Sequence, residues 1–251
     1  MPIKFLELIS IPSPIEFFVN FAYAPEEVLH IGAHLAEEKK LYEALGIERS
    51  LWVEAQPEIF ARLQGIVGSE NALNTGVWSK KTVLNFKVAR NSVSSSLLNL
   101  DVSNPWQGLD FVEEIEIETN TMDDVITIFQ ERGFLCEPFF VLLDIQGAEY
   151  EALLGWQKTT SQTVGLSCEV SRKKGYSGAR KRWQIVIKLF LLGFIPCAAF
   201  LDPHTGHGDQ LFIKLSTAFK NPRIVTYSIF RALLLITLRF RSKPFFKLSK
   251  D

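Results

Sequence analysis

Two carboxylates five residues apart, with an amide and a glycine between them, form the stretch of this 251-residue chain best suited to chemistry: Asp144-Ile145-Gln146-Gly147-Ala148-Glu149, directly after the apolar run Phe139–Leu143. An acid at the end of a buried strand lies where an open α/β sheet receives its ligands. A further acid, Glu169, follows the apolar run Val164–Cys168. Partial burial raises the proton affinity of a carboxylate toward the range a general base needs. Glu169, Glu149 and Asp144 are therefore the candidate bases, Glu169 first, against the plainer role of hydrogen-bonded structural carboxylate. Gln146 reads as a positioning amide.

Earlier in the chain, His30-Ile31-Gly32-Ala33-His34 joins a short apolar run to a helix-like segment. A glycine there lets the backbone approach a ligand at the helix N-terminus, although the full G-x-G-x-x-G pattern is absent. Glu54 ends the next apolar run, 22 residues after Gly32. An acid at that offset can accept hydrogen bonds from both hydroxyls of an adenosine ribose, or can simply favour the start of the helix near Pro57. A glycine loop with a ribose acid also suits a nicotinamide dehydrogenase.

The elements needed to position these residues are legible in outline. Val28–Ile31, Ser50–Val53, Phe139–Leu143 and Val164–Cys168 read as strands buried on both faces, separated by helix-like segments 36–45, 57–64, 121–132 and 148–156. That alternation predicts a parallel sheet wrapped by helices. Asn71–Arg90 and Ile115–Glu118 show period-2 alternation and predict an inserted antiparallel element. Near the end, a helix over 185–192 precedes two strands, 194–200 and 210–215, joined by a glycine-rich turn over 202–209.

The composition is that of a packed globule, 47% hydrophobic and 22% charged. With 27 basic and 28 acidic residues there is no global cationic field, and a nucleic-acid partner is not expected. Cys136, Cys168 and Cys197, each in apolar surroundings, read as reduced core thiols. Met1–Tyr23 carries Glu7, Pro12, Pro14 and Glu16 and does not read as a signal peptide, so a cytoplasmic protein is expected. No repeat or low-complexity linker divides the chain, which splits into an extension (1–27), one domain (28–219) and a basic amphipathic tail (220–251).

The ordered motifs Leu29-His-Ile-Gly-Ala-His34, Trp52-Val-Glu-Ala-Gln-Pro-Glu58, Ser94-Ser-Ser-Leu-Leu98, Leu143-Asp-Ile-Gln-Gly-Ala-Glu149 with Leu153-Leu-Gly155, and Cys168-Glu-Val-Ser171 with Tyr176 resemble the FkbM-type S-adenosylmethionine-dependent methyltransferases. The resemblance runs from about Val28 to Leu215. It implies a class I methyltransferase fold: a Rossmann-like, mostly parallel seven-stranded sheet of order 3-2-1-4-5-7-6, its last strand antiparallel, with helices on both faces and an inserted antiparallel hairpin. It implies S-adenosylmethionine as cofactor and O-methylation as chemistry. It places Gly32, Ala33 and His34 around the methionine end of the cofactor, Glu54 on its ribose and Asp144 near its ammonium group. Many members carry Asp or Glu where His30 stands and a second glycine where Ala36 stands. Glu38, on the first turns of the following helix, offers a replacement carboxylate, or pairs with Lys39 or Lys40 on a solvated face.

On the acceptor side the resemblance favours Ser95 and Ser96, with Gln146 and Tyr176, as substrate-binding residues, and a sugar, glycan or natural-product hydroxyl as acceptor. By composition alone Ser94–Ser96 is a solvated loop between the hairpin and the next strand. His204 and His207 superficially resemble a metal cluster, but a glycine-rich turn lining the substrate pocket explains them better, and no metal is assigned. The basic run Arg172–Arg182 could attract an anionic acceptor. The tail's longest uncharged stretch, Ala232–Leu238, is too short to span a membrane. It suits a peripheral membrane contact, a subunit contact, or packing on its own domain. The competing readings are a nicotinamide-dependent oxidoreductase and a catalytically inactive α/β binding module.

Overall fold

The computed structural model describes residues 13–101, 108–172, 175–202 and 205–241. His204, Lys173 and Lys174, the first twelve residues and the last ten lie outside them. The chain runs through α1 (Pro14–Phe21), β1 (Glu27–Ile31), α2 (Lys39–Ala44), β2 (Arg49–Glu54), α3 (Pro57–Val67), β3 (Ala72–Asn74), β4 (Gly76–Val77), β5 (Thr82–Ala89) and β6 (Phe111–Asn120). It continues through α4 (Met122–Glu131), β7 (Phe139–Leu143), α5 (Glu149–Leu154), β8 (Thr163–Ser171), α6 (Arg182–Leu191), β9 (Phe194–Leu201), β10 (His207–Lys214), α7 (Leu215–Lys220) and α8 (Pro222–Arg241).

Seven strands pair in the order β3-β2-β1-β7-β8-β10-β9. The first five run parallel, and β10 is antiparallel to both its neighbours. Counting only these seven, the order is the expected 3-2-1-4-5-7-6. The continuous apolar runs follow from burial on both faces: Leu29, Ile31, Leu51 and Val53 enter one core, while Val28 and Trp52 enter the other. Helices supply matching stripes. On α4, Met122, Val125, Ile126 and Phe129 share one buried face, and Thr121 with Asp124 closes a capping box at its start.

The insertion is a second, three-stranded sheet in which β5 and β6 are antiparallel and the short β4 pairs parallel to β6. Ile115 and Ile117 face inward between four glutamates along β6, which is the alternation visible in the sequence. The serine-rich segment lies inside this unit, between β5 and β6, rather than after it.

Three further expectations are corrected. Cys136 is exposed, so it is not a core thiol; Cys168 is buried, Cys197 half-buried, and all three are free. Helix α2 begins only at Lys39, because the chain first turns through Ala36 at φ 58°, and Glu38 becomes its N-cap residue. His207 opens β10 rather than sitting in the turn. The described parts of the two terminal segments pack into the same core, through Phe17, Phe18, Phe21 and Ile224. Among the described residues no helix is long and apolar enough to cross a membrane.

Candidate active site

The exits of β1, β2 and β7 meet at one edge of the sheet. Gly32 and Ala33 both donate their amides to the Val53 carbonyl at 3.0 Å, and the Asp144 amide donates to the Ile31 carbonyl at 3.0 Å. Gly32 has φ 89°, and a Cβ there would stand 1.6 Å from the Asp144 carbonyl oxygen. Only glycine allows the β1 exit to lie this close to the β7 exit. Glu54 closes the loop: its carboxylate accepts from the His34 amide at 2.9 Å and the Gln56 amide at 2.8 Å. Burial pushes its pKa up, and those amides oppose the rise.

Above these exits lies an open cleft of about 570 Å³, lined by Gly32, His34, Glu54, Asp144 and Gln146, with Val77, Phe86 and Leu97 as its apolar wall. The insertion therefore roofs the cleft. His34 bridges to it, with Nε2 2.9 Å from Ser92 Oγ and Nδ1 2.6 Å from Glu37. A second opening of about 900 Å³ is lined by Asn91, Ser94, Gly108, Leu109 and His207, and shares Val93, Asp144 and Gln146 with the first. Asp144 and Gln146 thus stand at the boundary of two chambers.

Carboxylates crowd this boundary. Asp144, Glu149 and Glu169 each have an oxygen within 4.8 Å of the others, a donor set chemically able to hold a divalent cation. Glu149 Oε1 already accepts the Ile145 and Gly147 amides at 3.0 and 3.1 Å, which ties the turn between β7 and α5. Burial, then the charge of Glu169, holds the Glu149 pKa well above the usual carboxylate range. Glu169 is likewise raised well above that range by burial, then by Asp144 and Asp209. Asp209 is pushed up to about 6, by burial and then by Asp144. Glu169 Oε1 lies 2.9 Å from His207 Nε2.

A polar chain links the cluster to the insertion. Gln146 Nε2 donates to Asp144 at 2.7 Å and lies 3.4 Å from Glu169, while Gln146 Oε1 is 3.0 Å from the Tyr176 hydroxyl. That hydroxyl also reaches the Ser94 carbonyl at 2.9 Å, and the Tyr176 ring packs against Gly147, which has φ 97°.

The structure thus brings together Gly32, His34, Glu54, Asp144, Gln146, Glu149, Glu169 and Tyr176. Others stand apart. Ala33 is buried and packs into the core, leaving only its amide at the loop. Glu38 is half-buried at the start of α2, 3.8 Å from His30 Nδ1, and does not line the cleft. Ser95 lines the first cleft, its Oγ donating to the Ser92 carbonyl and accepting from the Ala89 amide, and the buried Ser96 Oγ ties Leu98 to the Gln146 carbonyl. His30 stacks on Trp52 at 5.1 Å and meets the Tyr42 hydroxyl at 3.0 Å. Burial lowers its pKa to about 3.

Asp209 and Phe86 went unassigned on sequence grounds. Asp209 reaches the site because it pairs with Glu169 across β10 and β8, a register no local pattern reveals.

Residues 30–196 match the methyltransferase FkbM domain. Among solved structures, the chain is similar to a SAM-dependent methyltransferase from Aquifex aeolicus, at 9% identity and a TM-score of 0.36, over 84% of this chain and 98% of that one. No curated protein sequence matches. The fold assignment rests on the strand order. With two thirds of its length matched by the domain, this chain belongs to the FkbM methyltransferase family.

Proposed function

We propose that the protein is an S-adenosylmethionine-dependent O-methyltransferase whose acceptor is a hydroxyl of a sugar, glycan or natural product. The observation that carries this reading is the pair of chambers meeting at Asp144 and Gln146, with His207 lining the second and Glu169 2.9 Å behind it. The first chamber suits the cofactor chemically: Glu54 for a ribose diol, Asp144 for an ammonium group, the apolar wall for a purine, and Gly32 where any side chain would collide with the Asp144 carbonyl. When bound, S-adenosylmethionine supplies an electrophilic sulfonium methyl. The protein's main task is to hold the nucleophile in line with that methyl.

Asp144 and Gln146 separate the chambers and orient groups on both sides. Glu169, reached through His207 at 2.9 Å, would take the single hydroxyl proton as the acceptor oxygen gains the methyl and the sulfonium–methyl bond breaks to leave a neutral thioether, and its raised proton affinity suits that role. Glu149 keeps the turn in shape through its two amide bonds. Tyr176 holds Gln146 in place.

Calorimetric titration with S-adenosylmethionine and S-adenosylhomocysteine, with NADH as control, tests the cofactor. Micromolar binding of both sulfur ligands, lost in Glu54→Ala, is expected. Absence of binding in a folded sample, or NADH binding instead, overturns the reading. With labelled methyl donor and a panel of sugar acceptors, Glu169→Gln should lower kcat about 100-fold or more while cofactor affinity is retained.

A further inference from the structure

Charge is unevenly spread along this nearly neutral chain. Residues 172–251 contain sixteen of the 27 basic residues and three of the 28 acidic ones. Such asymmetry points to a polyanionic or membrane surface.

The same part of the chain exposes large apolar side chains. On α6, Trp183, Ile187, Phe190 and Leu191 recur at helical spacing on the face opposite the buried Ile185 and Leu189, with exposures of 60%, 52%, 63% and 77%. On α7, Leu215 and Phe219 are one turn apart and 46% and 78% exposed. The two helices meet: the Leu215 amide donates to the Gly193 carbonyl at 3.0 Å, and Lys214 Nζ donates to the Leu192 carbonyl at 2.8 Å. The half-buried Lys188 flanks the α6 stripe on the side of the buried face, the exposed Lys220 ends α7, and the exposed Arg223 stands in the first turn of α8.

We propose that the α6–α7 surface docks the protein onto an anionic lipid bilayer. Aromatic and aliphatic side chains rimmed by Lys and Arg are what an interfacial site requires, the apolar groups entering the acyl boundary and the cations meeting lipid phosphates. A second copy of the chain would set one cationic surface against another. A nucleic acid would satisfy the charges and leave Ile187, Leu191 and Leu215 in water.

The orientation follows from the sheet. β10 runs from His207, beside Ser171, down to Lys214, beside Phe194. The meeting point of α6 and α7 is therefore at the edge opposite the carboxylates. A docked molecule keeps its clefts open to the aqueous side. This inference does not depend on the methyl-transfer reading.

Sedimentation of the 251-residue chain with vesicles of phosphatidylcholine alone, or of phosphatidylcholine mixed with phosphatidylglycerol, tests it. Binding is expected to the mixed vesicles, weakening with salt, with a blue shift of tryptophan emission that Trp183→Phe abolishes. Phe190→Ser/Phe219→Ser should lower vesicle affinity at least tenfold without changing the melting temperature or binding of S-adenosylhomocysteine. Three outcomes overturn the proposal: no binding to anionic vesicles, equal binding by the double variant, or a dimer in light scattering that the double variant dissolves.

Discussion

At the residue scale, the site depends on backbone positions that few side chains tolerate. Gly32 has no room for a methyl group, since the Asp144 carbonyl occupies the space and φ is 89°. Gly32→Ala must either part the β1 and β7 exits or strain the loop, so a loss of about 3 kcal/mol or more is expected by thermal or urea unfolding, along with cofactor binding. Ala36 poses the reverse case. It holds φ 58° with a Cβ. A left-handed alanine costs about 1 kcal/mol, partly offset because glycine is more disordered when unfolded. Ala36→Gly should therefore leave stability unchanged or raise it by up to about 1 kcal/mol in urea titration. A clear loss would show that Ala36 is needed for its packing.

At the scale of elements, α1 is part of the core rather than an appendage. Ser13 caps it, Pro14 occupies its first turn, and Ile15, Phe17, Phe18 and Phe21 are buried. The Phe18 ring packs on Phe140 of β7 at 5.1 Å, and Phe21 stacks on Tyr227 of α8 at 4.4 Å. Phe18→Ala should cost about 3–5 kcal/mol, which for a chain of this size lowers Tm by roughly 10 °C. Differential scanning calorimetry checks this, with Phe219→Ala, exposed on α7, as the variant that leaves Tm in place. If Phe18→Ala melted with the parent protein, α1 would be dispensable to the core.

The stability of the whole molecule responds to pH in two opposing ways. His30 is neutral and buried, with a pKa lowered to about 3 from 6.5. Its contribution is complete above pH 6.5 and is lost as pH falls toward 3. Asp209 is raised to about 6 from 3.8, so its contribution is complete at acid pH and is lost as pH rises through 6. Asp209→Asn removes the second contribution. Discounted for partial exposure, it should stabilise the protein by about 1–2 kcal/mol at pH 7.5, roughly 2–4 °C in Tm per kcal/mol, and much less at pH 4. Melting curves at the two pH values check this. A gain that is equal at both, or larger at pH 4, would mean that Asp209 is not strained by its neighbours.

Local pattern was enough for much of this protein. The apolar runs, their spacing and the glycine after β1 determined a doubly wound sheet and which strand ends carry Gly32, Glu54, Asp144 and Glu169, because burial on both faces leaves a continuous signature in the chain. Contacts between distant segments left no such mark. The β8–β10 register that sets Asp209 and His207 against Glu169, the hydrogen bonds that commit Glu149 and Ser96 to backbone, and the entry of α1 into the core were decided only by tertiary packing. A side chain's partner across a sheet depends on how two remote segments align, and one residue of slip between β8 and β10 would turn Asp209 and His207 to the opposite face.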